Sequence, residues 1–378
     1  MTLDKTFNKY SKQKVFKEYF NPHVLPKKEK YNFFIIIPAY NEESYINDTL
    51  KSISCQDSNL LNTTLIVIVI NNADNTKLKI KNNNQRTFHS LMKKNYNFEM
   101  ILLDCYSSHF AFPNKVAGVG LARKVGMDFC ISYSHYSSLF CSLDADTIIH
   151  KKYLKIISKE YVKYNFFTAT VNFLHQKNND YEIQNAIIEY ELLIKDIANN
   201  LYNIGSRYGF VSMGSTIICT MEAYISIGGI PPKKATEDFY FLQKLAKYKY
   251  IHKIKEVLVY PSSRAEERVY LGTGFRMSNI KKKIDFSDLY VNPKAYVELE
   301  NLYNIIKIQW NHKSVEIISS LAKNNSKLYQ YLKNNNFVNI INKMQKNAKN
   351  QNHLLNQFHG WFDNLKIYKF LKYYDKKD

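Results

Sequence analysis

The chain has 378 residues, 45% of them hydrophobic, with 30 Tyr and 23 Phe against only 11 Gly and 8 Pro. That composition excludes collagen-like and low-complexity classes, and it suffices for one large core or two joined units. The formal net charge is +20, and the stretch from Ser278 onward, with 17 Lys and 8 acidic residues, carries about half of it. Such a surface favours nucleic acid, an acidic lipid leaflet or a negatively charged acceptor, and it is equally what a solvated lysine-rich face looks like.

Cys55, Cys105, Cys130, Cys141 and Cys219 are far apart and form no CxxC pair. Several lie in apolar runs, which suits buried free thiols better than disulfides or zinc. Met1–Lys30 is polar and lysine-studded with no apolar signal core, and no apolar run is long enough to span a bilayer. A cytoplasmic protein is expected, with any membrane contact peripheral and on the cytoplasmic face.

In chain order, Phe33–Ile37 is a continuous apolar run stopped by Pro38, the pattern of a buried strand. Ile46, Leu50 and Ile53 follow at helical spacing. Leu65–Ile70, Met100–Leu103 and Leu139–Leu143 predict three more buried strands, with a helix near Gly120–Phe129 before the last. Strands apolar on both faces, alternating with helices, imply an α/β fold with a mostly parallel sheet covered on each side. The polar clusters Ala39–Glu43, Asn71–Asp74 and Asp144–Thr147 all fall at strand carboxyl ends, where ligands bind in open sheets of this kind. A long helix over Tyr181–Leu201, a strand near Ser215–Thr220, a helix ending at Gly228-Gly229 and a helix after Glu237-Asp238 come next. Beyond Met277 the chain reads as lysine- and asparagine-rich helices. Leu299, Leu302, Ile306 and Trp310 form one apolar stripe, and Trp361, Leu365, Tyr368 and Leu371 form another.

Three groups of residues carry chemistry. In Asp144-Ala145-Asp146, side chains two apart in an extended segment point the same way, so both carboxylates can face one cation. Oxygen ligands suit Mg2+ or Mn2+, completed by water and substrate phosphates. Glu237-Asp238 precedes an apolar-striped helix, where capping and general-base catalysis are even readings. The segment from Arg264 through Arg268 to Gly272 and Gly274 comes after a strand, Val257–Tyr260. Its guanidiniums can bind phosphate oxygens in pairs, and its glycines let backbone amides approach them. Salt bridges from these arginines to Glu266 and Glu267 are the competing account.

These pieces, in this order, resemble glycosyltransferase family 2, inverting enzymes with the GT-A fold. Ile36-Ile37-Pro38-Ala39-Tyr40-Asn41-Glu42-Glu43 looks like that family's opening strand and nucleotide-contacting turn. Asn71-Asn72-Ala73-Asp74 stands where its base-reading cluster falls, with Asn where Asp is common. Gly118-Val-Gly120-Leu-Ala-Arg123-Lys-Val-Gly126 is similar to the helix start before the family's metal motif. Asp144-Ala-Asp146 is similar to its DxD, and Gly228-Gly229 followed by Thr236-Glu237-Asp238 to its acceptor-side segment. Tyr190-Glu191, the arginine loop and Phe358-His-Gly-Trp361-Phe362-Asp363 look like a bacterial subgroup of that family, which implies no substrate.

The resemblance implies a GT-A, Rossmann-like catalytic domain over residues 31–277, a polar lead-in over 1–30 and a basic helical extension over 278–378. It implies transfer of a sugar from a nucleotide-diphosphate sugar, with UDP or GDP favoured, to an unidentified glycan or lipid-linked acceptor in cell-surface glycan or glycolipid synthesis. By the same resemblance Pro38, Ala39, Tyr40, Glu42, Asn72, Asp74, Arg123 and Asp144 would hold the donor nucleotide, and Asp144 and Asp146 the Mn2+ or Mg2+. Arg264, Arg268, Gly272 and Gly274 would meet its phosphates. Asp238 would be the catalytic base, with Glu237 orienting the acceptor or the loop. A retaining GT-A enzyme is the nearest alternative. The glycine-rich, arginine-containing loop that a nucleotidyltransferase carries after its first strand is missing, and no recognised nucleic-acid motif supports a basic binding protein without catalysis. Lys366, Lys369 and Lys372 fall on a different arc from Trp361, Leu365 and Tyr368. That pattern fits a helix lying on an anionic membrane and a helix packed on the catalytic domain alike.

Overall fold

The computed structural model describes residues 2–268, 270–323 and 327–374. The chain divides into two compact units, residues 1–188 with 212–284, and residues 189–211 with 285–378. The helix Tyr181–Asn203 contributes to both, so residues 189–211, expected from the sequence in the catalytic domain, go with the C-terminal helices.

The first unit is a mixed α/β layer structure. Its eight strands are β1 (Tyr31–Ala39), β2 (Thr64–Asn71), β3 (Glu99–Cys105), β4 (Ser134–Ser142), β5 (Ile148–Ile149), β6 (Thr168–Phe173), β7 (Ile217–Thr220) and β8 (His252–Tyr260). They form one sheet in the order β3-β2-β1-β4-β7-β6-β8-β5. The pairings among β3, β2, β1 and β4, and that of β6 with β8, are parallel; β7 runs antiparallel to both its neighbours, and β5 to β8. This is a Rossmann-like, GT-A-type arrangement. Phe34, Ile35, Ile36, Ile37 and Leu65 to Ile70 have no exposed surface. A strand covered on both faces loses its polar alternation for that reason. The short β5 and β6 carry no apolar run that would have marked them.

Pro38 does not stop β1, which continues to Ala39 and pairs Pro38 with Val69 of β2. Pairing with β4 ends at Ile36 and Ser142, and the Ile36 carbonyl accepts the Leu143 amide. Backbone groups two residues on point to the same side, so the N–H that proline lacks faces a place where β4 has already left the sheet.

Helix Leu3–Gln13 docks through a buried polar cluster. The Tyr10 and Tyr224 hydroxyls each donate to Asp128 Oδ1 at 2.7 Å, and Lys124 Nζ lies 3.0 Å from Asp128 Oδ2. The ion pair and two hydroxyl donors together satisfy a carboxylate that could not be buried alone.

The second unit is helical: after residues 189–203 come Pro293–Ile308, Ser314–Ala322, Lys327–Asn334, Phe337–Asn347, Gln351–Trp361 and Asn364–Tyr374. Leu299, Leu302 and Ile306 are fully buried as their spacing predicts, whereas Trp310 lies past the helix end. The last stripe does not form. The chain breaks at Phe362-Asp363, and helix Asn364–Tyr374 buries Ile367, Phe370 and Leu371 instead of Leu365 and Tyr368. Phe370 packs on Tyr331 at a ring separation of 5.5 Å, so that apolar side is covered by helix Lys327–Asn334 of the same unit. Among the described residues no helix is long and apolar enough to cross a membrane.

His359 sits in this core, stacked 5.3 Å from the Tyr303 ring, with its Nδ1 buried and without a hydrogen-bond partner among the described residues. Burial, reinforced by the nearby Arg207 charge, pushes its imidazole from 6.5 down to about 3. The folded unit therefore holds it neutral while the unfolded chain takes up a proton, so stability is full above 6.5 and is lost as pH falls toward 3. Between pH 7.5 and pH 5 this site should remove about 2 kcal/mol. Urea unfolding of wild type and His359→Phe at both pH values checks it: the variant should lose less on acidification, by roughly that difference.

Candidate active site

The residues singled out by the sequence gather past the carboxyl ends of β1 and β4, within the first unit. After Ala39 the chain turns through Asn41, in the left-handed region at φ 60°. Asn41 is held by its amide donating to Asn84 Oδ1 at 2.9 Å. The turn carries the Glu42 side chain inward to 4% exposure.

At the end of β4 the Asp144-Ala145-Asp146 triplet is not extended, as the alternation argument assumed. The Thr147 amide donates to the Asp144 carbonyl at 3.1 Å, closing a β-turn. Outside a strand the two-residue alternation no longer applies, and each aspartate meets its own arginine. Asp144 pairs with Arg123, whose other arm pairs with Glu237. Asp146 Oδ2 lies 3.2 Å from Arg264 Nε, and Arg264 Nη2 lies 2.6 Å from Glu42 Oε1. Arg268 adds a 3.0 Å bond to the same Glu42 oxygen and another to the Tyr40 carbonyl. The arginines are thus paired to Glu42 and Asp146, and to Glu266 at 3.1 Å from Arg264, while Glu267 turns away to Lys282. Tyr45 lies under the Arg264 guanidinium at 4.3 Å.

The Gly118 to Gly126 pattern explains how a charged side chain reaches the core. A Cβ at Gly118 would stand 2.6 Å from Lys234 Cα, and one at Gly120 would overlap the Lys233 carbonyl. The segment Pro231–Lys234 lies directly on the helix start for that reason, and it leads into Thr236 and Glu237. Gly126 lets the same helix, Val119–Cys130, settle on β1 and β2, where a Cβ would meet Ile36 Cγ2 at 2.6 Å. Arg123 is left 3% exposed, and a Cβ at Gly214 would collide with its guanidinium.

Glu237, 3% exposed, spends its carboxylate on Arg123. Asp238, beside it on helix Glu237–Tyr248, is partly exposed and accepts its neighbour Phe239's amide at 2.7 Å. Burial raises both carboxyls above the usual range against the opposing pull of Arg123. Burial likewise pushes Asp146 up to about 7, with Arg264 opposing it. Thr236, at φ 63°, holds a β-branched residue in the left-handed region immediately before the pair.

The remaining sequence-predicted residues divide. Pro38 and Ala39 are buried in β1, and Tyr40 is partly exposed on the turn. Asn72 is fully buried, donating to the Ala73 and Tyr106 carbonyls and accepting from Asn84, so its side chain shapes the turn. Asp74 is exposed at the rim. Gly272 takes φ 94°, and the Gly274 carbonyl accepts the Glu266 amide at 2.9 Å, closing the arginine loop on itself.

Two positioning residues carry no sequence signal. Thr49 Oγ1 donates to the Ala145 carbonyl at 2.8 Å, and Gln176 Nε2 donates at 2.7 Å to the carbonyls of both Asp146 and Tyr260. Together they pin the aspartate turn to the start of the arginine loop. Among the described residues no group of three or more His, Cys, Asp or Glu is placed to hold a metal ion.

Compared with known families and with curated proteins, the sequence matches none. Among solved structures, the chain is similar to S. aureus TarS 1–349 in complex with UDP-GlcNAc. The identity is 14%, the coverage 87% of this chain and 91% of that one, and the TM-score 0.44. It is also similar to the mannosyltransferase PcManGT from Pyrobaculum calidifontis in complex with GDP-Man and Mn2+, at 14% identity, 95% of both chains and a TM-score of 0.43.

Arg123→Met should leave Glu237 buried without its counter-charge and cost roughly 3–5 kcal/mol in urea unfolding. Arg123→Met with Glu237→Met removes the charge from both sides and should recover much of that loss, which a double-mutant cycle measures directly.

Proposed function

We propose that the first unit is a glycosyltransferase of the family 2 type, moving a sugar from a UDP- or GDP-sugar to an acceptor hydroxyl with inversion, in cell-surface glycan or glycolipid synthesis. The observation that carries the reading is the single guanidinium of Arg123 joining Asp144 of the strand-end aspartate turn to Glu237 of the acceptor-side helix. Donor-side and acceptor-side carboxylates are thereby held within one side chain's reach.

Asp144 and Asp146 supply oxygen donors of the kind a hard divalent cation takes, with no third His, Cys, Asp or Glu grouped with them among the described residues. Glu42, Asp144, Asp146, Glu237 and Glu266 gather on Arg123, Arg264 and Arg268. Glu42 Oε2 is buried with no hydrogen-bond partner. Asp144 and Asp146 would hold Mn2+ or Mg2+, which supplies charge neutralisation at a donor diphosphate. Arg264 and Arg268 sit where their guanidiniums can exchange Glu42 and Asp146 for phosphate oxygens and steady the leaving nucleotide. Tyr40 and the Asp74 rim would flank the nucleoside. Asp238, with its proton affinity raised by burial, would take the acceptor hydroxyl's proton as that oxygen attacks the anomeric carbon. Glu237, tied to Arg123, would position it.

Thermal stabilisation by UDP, GDP, CMP and dTDP, each with and without Mn2+, tests the donor site. One nucleotide should stabilise only with metal, by several degrees at ~100 times its dissociation constant, and Asp146→Asn should abolish the shift. Once a donor is known, Asp238→Asn should lower turnover about 10²-fold or more with the shift retained. Normal turnover in both variants would overturn the reading.

A further inference from the structure

A second concavity opens at the opposite end of β4, a strand whose length separates it from the aspartate turn by about 26 Å. It has a volume of about 600 Å3, within the ~300–1,000 Å3 of small-molecule sites, and it belongs wholly to the first unit. Its rim is formed where β4 begins, where β7 ends and where the chain enters β6.

Its walls combine two kinds of surface. Phe7, Tyr136, Tyr161 and Phe167 present aromatic rings. Phe7 from the N-terminal helix meets Tyr136 edge-on at 6.3 Å, and Tyr136 is anchored by its hydroxyl donating to Asp4 at 2.7 Å. Ser137 and Asn165 also line it, both exposed, and their side chains make no hydrogen bond among the described residues. Glu222, which also lines the cavity, accepts the Tyr248 hydroxyl at 3.3 Å. Lys30 commits two of its donors to the Ser132 and Ser134 carbonyls. Lys30 and Glu222 balance in charge, and His135 is the third titratable side chain besides the tyrosines on the lining.

This balance decides among ligand classes. A purely apolar occupant would strip water from Ser137, Asn165 and Glu222 without replacing it, at a cost that aromatic contact does not recover. A polyanion would meet Glu222 and find Lys30 already engaged. A pyranose offers C–H faces for the rings and hydroxyls for the carboxylate, amide and hydroxyl. We propose that this cavity is a saccharide-binding subsite for one or a few neutral sugar rings, remote from the aspartate turn. The assignment rests on the cavity's own chemistry and stands apart from the transfer reading; if both hold, it would grip a distal part of a glycan acceptor or product.

The test is titration calorimetry and saturation-transfer NMR on the full chain with maltose, cellobiose, lactose and N,N′-diacetylchitobiose at millimolar concentration, and with uridine as the nucleoside control. At least one disaccharide should bind. Phe167→Leu and Asn165→Gly should each weaken it roughly tenfold. Asn165 already has φ 45°, which glycine adopts freely, so the second variant keeps the fold if the first does not. Both should retain the nucleotide and Mn2+ stabilisation of wild type, so failure here is distinguishable from failure of the transfer reading. No disaccharide binding, binding unchanged in both variants, or uridine displacing the sugar from this cavity would overturn the proposal.

Discussion

A guanidinium buried to 3% exposure, with a carboxylate on each arm, is the constraint around which the first unit is organised. A charge cannot be taken out of water unless its partners come with it. The ion pairs of Arg123 therefore lock three elements together: the helix Val119–Cys130, the turn after β4 and the helix beginning at Glu237. The glycines serve the same end. Gly118 and Gly120 admit Pro231–Lys234, Gly126 admits β1 and β2, and Gly214, just before β7, leaves room for the guanidinium itself.

The aspartate turn is held the same way twice over. Asp144 answers to Arg123 and Asp146 to Arg264, and each arginine carries a second carboxylate, Glu237 or Glu42. The first set is deep and the second is more exposed, with Arg264 19% exposed at the side chain against 4% for Arg123. That difference divides their work. A buried pair is stiff and positions, whereas a partly exposed pair can exchange partners at lower cost. Thr236 adds local strain, on the order of 1–3 kcal/mol, directly ahead of Glu237-Asp238. Only a framework as over-determined as the one around Arg123 holds a β-branched residue there.

The helical unit gathers the lysine excess and buries Leu299, Leu302 and Ile306 of its first stripe. Helix Asn364–Tyr374 turns Ile367, Phe370 and Leu371 into its own bundle and leaves Lys369 and Lys372 outside. Lys366 instead lies over Trp361 at 5.5 Å, an aromatic contact that draws its stem along the surface. On this helix the lysines lie on the solvated side, and Ile367, Phe370 and Leu371 are spent on packing.

The strands β1 to β4, their order of appearance and the polar clusters at their carboxyl ends were legible in the sequence, because doubly covered strands must be apolar throughout and the loops that leave them must be polar. Free buried thiols were legible too, at Cys105, Cys130, Cys141 and Cys219. One sequence does not reveal partnership across distance. Nothing local tells Arg123 from a surface arginine, or says that Asp144 and Asp146 close a turn and part company. Nor is it written locally that Pro38 stands where β4 has ended, or that Gln176 and Thr49 hold the turn. Those facts depend on which elements the packed core brings side by side. Periodicity records whether a residue is buried; only the tertiary structure decides against what, and for charged groups the partner decides the chemistry.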